Sequence, residues 1–203
     1  AGVNQALDRI GGELQEILSE TGRPKLTGGG MTAALALKAK NPKLFGQVAH
    51  ILSPKDYLIA RMTGEVVTDH TSAAYTGASN VKSRKWSRRT LDLIGLDQRL
   101  FPRQLKSTDP VGELRKSVAN LFRLPADTLV YCGGPDGSVG STYLVGDRRN
   151  VVADVAGTTD VLLRVVDSPS EAPVEALVNP YTLGSWSAGG ATGSTGGAIS
   201  RWS

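Results

Sequence analysis

Cysteine and histidine are scarce in this sequence of 203 residues. It contains one cysteine, Cys132, and two histidines, His50 and His70. A single cysteine excludes an intrachain disulfide and a cysteine metal site, and it is typical of a reducing, cytoplasmic setting. Two histidines argue against a zinc enzyme. We therefore predict a cytoplasmic protein and assign no metal ligands.

Long apolar runs are also missing, and so is a strong charge of one sign. No uninterrupted apolar stretch approaches the roughly 20 residues that span a bilayer, and no signal-peptide pattern opens the chain. The net charge is +4, and basic residues cluster only at positions 82–89. One short patch of this kind is typical of a solvated loop and first helical turn. We therefore predict neither a membrane nor a nucleic-acid partner.

The composition supports a packed core, because 40% of the residues are hydrophobic and 21% are charged. The 24 glycines concentrate after Tyr131, which indicates backbone turns that approach a ligand. The sequence does not begin with methionine, and it stops where a glycine-rich turn introduces a helix. We expect a fragment of a longer protein, incomplete at both ends.

Helical patterns fill the first part of the chain. Apolar residues three and four positions apart predict a helix over 3–20, and Gly22 followed by Pro24 ends it. Ser53 before Pro54 is a strong helix start, and Ser87 is another. The remaining predicted helices cover 33–40, 42 towards 50, and 113–124.

Strand patterns follow from residue 128 onwards. The apolar run 128–132 predicts a buried strand, and the β-branched runs 151–155 and 161–166 predict a hairpin. Two shorter strands are expected at 176–178 and 185–188. The change from helices to strands predicts a domain boundary near residue 145, which gives domains at 1–145 and 146–203.

Asp136 is the first candidate for chemistry. It lies in a Gly-Gly-Pro-Asp-Gly turn directly after the strand at 128–132. A carboxylate held at a strand end can project into a cleft and accept the proton of an attacking hydroxyl. The alternative is an ordinary turn, because Asp is favoured in turns for its own hydrogen bonding.

Two further glycine-rich segments are candidates for phosphate binding. Gly157 and Thr158 form a hairpin tip whose backbone N–H groups and hydroxyl are accessible to phosphate oxygens. The stretch 189–197 reads as a turn that enters a helix, which is an anion site or else a flexible loop. Neither segment contains the Walker pattern or the dinucleotide fingerprint.

The sequence resembles the FGGY carbohydrate kinases. The most specific match is the stretch 52–65, LSPKDYLIARMTGE, which is followed by VTD at 67–69 and SAA at 72–74. Trp86, Gly95-Leu96 and Val111-Gly112 then follow in the family's order. The structural interpretation of these residues is that Asp56, Tyr57 and Glu65 stabilise a helix and its exit. By the same reasoning Asp69 caps or braces the next segment, and Trp86 serves packing.

The resemblance implies an α/β fold of the actin-like or hexokinase-like type, built from two ribonuclease H-type domains with the ligands in the cleft between them. It implies an ATP-dependent kinase that uses Mg²⁺ to phosphorylate a small sugar or polyol, with a ketopentose such as xylulose favoured. Asp136 then takes the place of the catalytic base, and Gly157 and Thr158 meet the nucleotide phosphates. Gly197 and Arg201 fall where glycerol kinase-like members contact the nucleotide.

Departures from the family pattern leave alternatives open. Gly137 stands where members carry Asn or Gln, and Ala33 and Ala36 stand where Lys and Trp are common. A non-catalytic sugar-binding or regulatory relative would explain these changes. A third hypothesis is an actin-like ATPase of the chaperone or filament type.

The N-terminal phosphate loop and the adenine-binding part do not occur in these residues, so the fragment alone is expected to be inactive. The sugar and the oligomeric state, with a homodimer among the options, remain open.

Overall fold

Helices dominate the chain up to residue 145, and antiparallel strands follow it in a computed structural model of the protein. The structure describes residues 11–23, 30–157, 160–191, Gly193 and Arg201. Besides three short 3₁₀ turns, the helices are α1 (Leu14–Thr21), α2 (Gly30–Lys40), α3 (Pro42–Phe45), α4 (Pro54–Thr63), α5 (His70–Tyr75), α6 (Arg88–Ile94), α7 (Lys116–Phe122) and α8 (Asp136–Val145). The strands are β1 (Val67–Asp69), β2 (Ser79–Asn80), β3 (Lys85–Trp86), β4 (Arg103–Leu105), β5 (Pro110–Glu113), β6 (Leu129–Tyr131), β7 (Val152–Ala156), β8 (Asp160–Val166), β9 (Leu177–Pro180) and β10 (Trp186–Ala191).

Helix α4 shows how local sequence fixes an element. The Ser53 side chain accepts a hydrogen bond from the Asp56 N–H, and the Asp56 carboxylate accepts one from the Ser53 N–H. This reciprocal pair satisfies two N–H groups that have no partner inside the helix. Gly64, with a φ of 97°, ends the helix in the left-handed conformation that glycine adopts without a Cβ clash.

Two apolar clusters lie in the helical part. The larger joins α1, α2 and α6 around fully or almost fully buried side chains, among them Ile17, Met31, Leu91 and Ile94. The smaller consists of Ile59 from α4, Val67 from β1 and Cys132 just after β6. Strand β1 pairs with β4 in parallel, and β5 pairs with β6 in antiparallel orientation. The second cluster therefore connects α4, which lies in the stretch 52–65, to β6, the strand before Asp136.

A four-stranded antiparallel sheet lies between residues 152 and 191, with the strands in the order β7-β8-β10-β9. The predicted hairpin is confirmed, since Val155 pairs with Val161 and Ala156 with Asp160. One face of this sheet packs against the end of α8. The contact is the apolar cluster of Val145, Ala153, Leu163, Val165 and Tyr181.

Strands β9 and β10 also bond to the helical part. The Val178 N–H donates to the Gly22 carbonyl at 2.9 Å, and the Thr71 hydroxyl donates to the Pro180 carbonyl at 2.7 Å. Buried Arg23 donates to the Ala74 carbonyl at 3.1 Å and to the Asn179 side chain. Burial lowers the pKa of Arg23 to about 10. Backbone and side-chain bonds thus hold the edge strand of the sheet against α1 and α5.

The structure corrects several predictions. Glu113, where the predicted helix 113–124 was expected to begin, is the last residue of β5, and α7 begins only at Lys116. Helix α3 ends at Phe45 instead of continuing towards His50. Strand β6 exists, but Leu129 and Tyr131 are 51% and 54% exposed, so it is buried on one face only. The first ten residues of the predicted helix 3–20 lie mostly outside the described ranges.

Within those ranges, no helix is long and apolar enough to cross a membrane.

Candidate active site

Asp136 is the first residue of α8, directly after the Gly133-Gly134-Pro135 turn. Its side chain is exposed, and its Oδ1 accepts a hydrogen bond from the Gly137 N–H at 2.8 Å. Pro135 precedes the helix with a φ of −59°, which the proline ring favours. The free N–H groups of a helix start favour a negative charge at this position. A carboxylate placed in this way is accessible to a ligand from solvent.

Backbone hydrogen bonds hold the turn before Asp136. The Cys132 N–H donates to the Asp109 carbonyl at 3.0 Å, and the Gly133 N–H donates to the Ser107 carbonyl at 2.9 Å. Gly133 has a φ of 63°, a left-handed conformation that requires glycine here. A Cβ added to Gly134 would lie 3.4 Å from the Ser107 hydroxyl, so the 107–109 loop packs closely against the turn.

An ion cluster lies behind the same turn. The Lys55 ammonium donates to Asp56 Oδ1 at 2.7 Å and to the carbonyl of Cys132 at 3.0 Å. Its nitrogen is also 3.2 Å from Asp69 Oδ1. The side chains of Asp56 and Asp69 are 3% and 0% exposed, whereas that of Lys55 is 25% exposed. One lysine therefore faces two buried carboxylates and the end of β6.

The cluster shifts the pKa of two of its members. Burial lowers the pKa of Lys55, but the hydrogen bond to Asp56 and the charge of Asp69 outweigh it, so the net shift is upward. Burial raises the pKa of the Cys132 thiol to about 12; the charge of Lys55 lowers this pKa, whereas the neighbouring carboxylates raise it. Lys55 is therefore a permanent cation and Cys132 a neutral thiol near pH 7.

Asp56 and Asp69 have the structural roles predicted for them, which were to stabilise a helix and to cap or brace the next segment. Asp56 closes the capping box of α4. Asp69 caps α5, since its Oδ2 accepts from the N–H groups of Thr71 at 2.9 Å and Ser72 at 3.1 Å. Trp86 packs on Phe101 with ring centroids 4.8 Å apart and donates to the Pro102 carbonyl, as expected for a packing residue.

The predicted nucleotide residues are only partly described. Gly157 follows β7 directly and is exposed, which leaves its backbone accessible to a phosphate group. Arg201 is exposed as well. Thr158 and Gly197 lie outside the described residues. The structure therefore describes Asp136, Gly157 and Arg201, while the roles of Thr158 and Gly197 stay predictions.

The glycine-rich stretch 189–197 begins differently from its prediction. Gly189 and Gly190 belong to β10, where they pair with Leu163 and Leu162. A Cβ on Gly189 would lie 2.0 Å from the Leu162 carbonyl oxygen, so this glycine permits close strand approach rather than a turn. The predicted anion-binding turn, if placed after Gly193, falls on residues that the structure does not describe.

Asp136 belongs neither to a metal-binding cluster of described residues nor to the cavity beside Arg23. In the described part of the chain, no group of three His, Cys, Asp or Glu side chains could hold a metal ion. A cavity of about 480 Å³ lies between Arg23, Asp56, Tyr75 and Trp86, and Asp136 is not among its lining residues.

Sequence reasoning missed Lys55. The sequence does contain a signal, because Lys55 stands beside the capping residue Asp56 inside the most specific stretch, at a helix start. A cation is not favoured at a helix N-terminus, so its presence there indicates a partner elsewhere. Only the fold shows that the partners are Asp69 and the Cys132 carbonyl.

Comparisons with known proteins agree with one another. Residues 1–142 match the sequence profile described as "FGGY family of carbohydrate kinases, N-terminal domain". The chain is 32% identical over 129 residues to xylulose kinase of Lactococcus lactis, covering 64% of this chain and 25% of that protein. It is 35% identical over 135 residues to xylulose kinase of Klebsiella pneumoniae, covering 66% and 28%.

Solved structures give the same result for the fold. A ligand-bound xylulose kinase from Lactobacillus acidophilus matches with a TM-score of 0.85 and 28% identity, covering 98% of this chain and 40% of that one. A glycerol kinase from Plasmodium falciparum with ADP matches with a TM-score of 0.78 at 15% identity, covering 99% and 42%. The expected sugar-kinase fold of mixed α/β type is confirmed, and the chain spans between a quarter and a third of the first curated relatives.

Proposed function

The chain belongs to the FGGY family of carbohydrate kinases, and we propose that the full-length protein transfers the γ-phosphoryl group of ATP to a hydroxyl of a small sugar or polyol. Several relatives that match it carry the name xylulose kinase. A ketopentose such as xylulose is therefore the favoured substrate. The reaction would take place in the cytoplasm, consistent with a chain that has only one cysteine.

In this proposal Asp136 is the general base. One of its carboxylate oxygens accepts the proton of the sugar hydroxyl while the hydroxyl oxygen forms its bond to the γ-phosphorus, and the bond from that phosphorus to the ADP oxygen breaks. The exposure of Asp136 at the start of α8 makes it accessible to a sugar. The observation that carries the proposal is this accessible carboxylate on a turn that two chain segments hold from behind, the start of α4 through Lys55 and the loop 107–109.

Gly157 and Thr158 are the proposed phosphate contacts, with Gly197 and Arg201 as further nucleotide contacts. Residues 1–145 belong in this proposal to a sugar-binding domain, and 146–203 begin a nucleotide-binding domain. Helix α8 packs against β7, and six residues connect them. A chain reversal at that connection would bring the start of α8 and the end of β7, hence Asp136 and Gly157, to the same side. Mg²⁺ would arrive with the nucleotide and neutralise phosphate charge.

A sugar-dependent ADP-release assay tests the reaction and its substrate class. Full-length protein is incubated with ATP, Mg²⁺ and one sugar at a time from a panel of xylulose, ribulose, gluconate and glycerol, with a sugar-free control. We expect ADP release that depends on the sugar and is greatest with a ketopentose. Absence of release with every sugar, together with measurable sugar binding by calorimetry, would favour the non-catalytic relative that Gly137 leaves open.

A further inference from the structure

We propose that Lys55 is a positioning residue for Asp136, holding the end of β6 so that the carboxylate stays at its working place. This inference rests on the proposed function, because it assigns a role in the same site. Lys55 touches neither the sugar nor the nucleotide in this account. It acts through the backbone of residues 132–135.

The first step is that the Lys55 ammonium links three separate chain segments. Lys55 lies in the first turn of α4, and Asp69 joins β1 to α5. The Lys55 ammonium donates to Asp56 Oδ1 at 2.7 Å and to the Cys132 carbonyl at 3.0 Å. The same nitrogen lies 3.2 Å from Asp69 Oδ1. The Cys132 carbonyl is thereby tied to a helix and to a strand end that are far from it in sequence. Two of these contacts are hydrogen bonds, and the third, to Asp69 Oδ1, is an ion pair.

The second step is that hydrogen bonds hold the backbone just before Asp136. Gly133 and Gly134 have no side chains, and a Cβ on Gly133 would meet nothing within 4 Å. Packing therefore does not fix the backbone of Gly133. The hydrogen bonds from the 107–109 loop hold the N–H side of this backbone, and Lys55 holds the carbonyl side. Loss of Lys55 would release one of these two restraints just before the catalytic carboxylate.

The third step is that a small displacement is enough to slow the reaction. A catalytic group that is misplaced by about 1 Å can lose about 10²-fold in rate. Among the described residues, the Asp136 carboxylate accepts a hydrogen bond from the adjacent Gly137 N–H and has no anchor in a distant segment. Its position therefore depends on the turn that carries it. The expected effect of losing Lys55 falls on turnover rather than on sugar affinity.

A double-mutant cycle in the full-length enzyme tests this role. The variants are Lys55→Met, Asp136→Asn and the double variant, and kcat and the sugar KM are measured for each. We expect Lys55→Met to lower kcat by about 10–100-fold with the sugar KM changed by less than about threefold. In the Asp136→Asn background the same change should have no further effect on kcat, because residues that act as a unit are non-additive.

Two further variants keep the test decisive. Lys38→Met removes a lysine that donates to the Gly95 carbonyl, away from this turn, and it should leave kcat unchanged. Lys55→Met leaves Asp56 and Asp69 without their cation, so circular dichroism checks that it folds. Should it fail to fold, Lys55→Arg replaces it in the cycle, since the charge stays but the planar guanidinium cannot reproduce the contacts of the ammonium.

The possible results separate the two proposals. Lys55→Met could lower kcat by the same factor in the parent enzyme and in Asp136→Asn, or it could leave the kcat of the parent enzyme unchanged. Either result would overturn the positioning role while leaving the kinase proposal intact. Normal turnover by Asp136→Asn alone would instead overturn Asp136 as base, and with it the reason for positioning it. A loss expressed only in the sugar KM would also contradict the role of Lys55.

Discussion

Single side chains around Cys132 determine the environment of the turn that leads to Asp136. Cys132 has no exposed surface and packs with Ile59 and Val67. Its carbonyl accepts from Lys55, while the buried carboxylates of Asp56 and Asp69 lie close enough to act on its thiol. At the residue scale, this position is an apolar core contact on one side and a hydrogen-bond acceptor on the other. Its thiol is structural and takes no part in the proposed chemistry.

The Cys132 thiol should be unreactive in the folded protein. Burial raises its pKa to about 12, so the reactive thiolate is on the order of one part in 10⁴ at pH 8, against about a quarter for an ordinary thiol with a pKa near 8.5. Native protein treated with iodoacetamide at pH 8 should remain unmodified by mass spectrometry, and unfolded protein in urea should react completely. Fast modification of the native protein would contradict the buried placement of this residue.

At the scale of elements, the sequence predicts those with strong local signals. The helix starts at Ser53-Pro54 and at Ser87 and the hairpin at 151–166 follow from capping and turn chemistry, and the structure confirms them. Residues 110–113 were missed, because their strand is defined by pairing with β6, which lies sixteen or more residues away. Local propensity cannot contain that information.

In the candidate site, too, the features with local sequence signals could be predicted and those created by distant segments could not. Asp136 at the end of a strand and the start of a helix could be predicted from its glycines and proline, and the placement of that turn is confirmed by α8. The contact of Lys55 with Asp69 and Cys132 could not, because three distant segments create it. Gly189 was misread for a related reason. Its requirement for glycine comes from the neighbouring strand β8 and not from a turn in its own sequence.

Two glycines of this region should respond oppositely to alanine. Gly133→Ala places a Cβ on a backbone with a φ of 63°, which costs about 1–2 kcal/mol for an L-residue. Gly140→Ala lies inside α8 with open space around its Cβ position, and it should stabilise the protein by about 0.5–1 kcal/mol. Urea unfolding monitored by circular dichroism measures both changes. A stabilising Gly133→Ala would contradict the left-handed turn.

At the scale of the whole molecule, the described chain exposes large apolar side chains around β6 and α8. Leu129 and Tyr131 are exposed on the same face of β6, while Val139 and Tyr143, four residues apart on α8, are 46% and 90% exposed. Exposed apolar patches of this kind mark interaction surfaces. The chain covers 40% of the xylulose kinase from Lactobacillus acidophilus. We therefore expect further parts of the full-length protein to cover this face.

The isolated 203-residue chain should consequently self-associate and bind a dye that is specific for apolar surface. The double variant Leu129→Thr/Tyr131→Thr keeps two residues suited to a strand and should lower both dye fluorescence and the sedimentation-derived mass. Val174→Thr is the control, because Val174 is an apolar residue that is 89% exposed but belongs neither to β6 nor to α8. Equal behaviour of the two variants, or low dye binding by the parent chain, would argue against an unpartnered apolar face.

The central claim is that the carboxylate of Asp136 removes the proton of the sugar hydroxyl. Rapid-quench single turnover of the full-length protein at saturating ATP, Mg²⁺ and xylulose measures phosphoryl transfer itself, before product release. General-base catalysis contributes about 10²–10⁴-fold. Asp136→Asn should therefore transfer the phosphoryl group at least about 10²-fold more slowly while the dissociation constant of the sugar changes little. Transfer at the parent rate by Asp136→Asn would contradict the account.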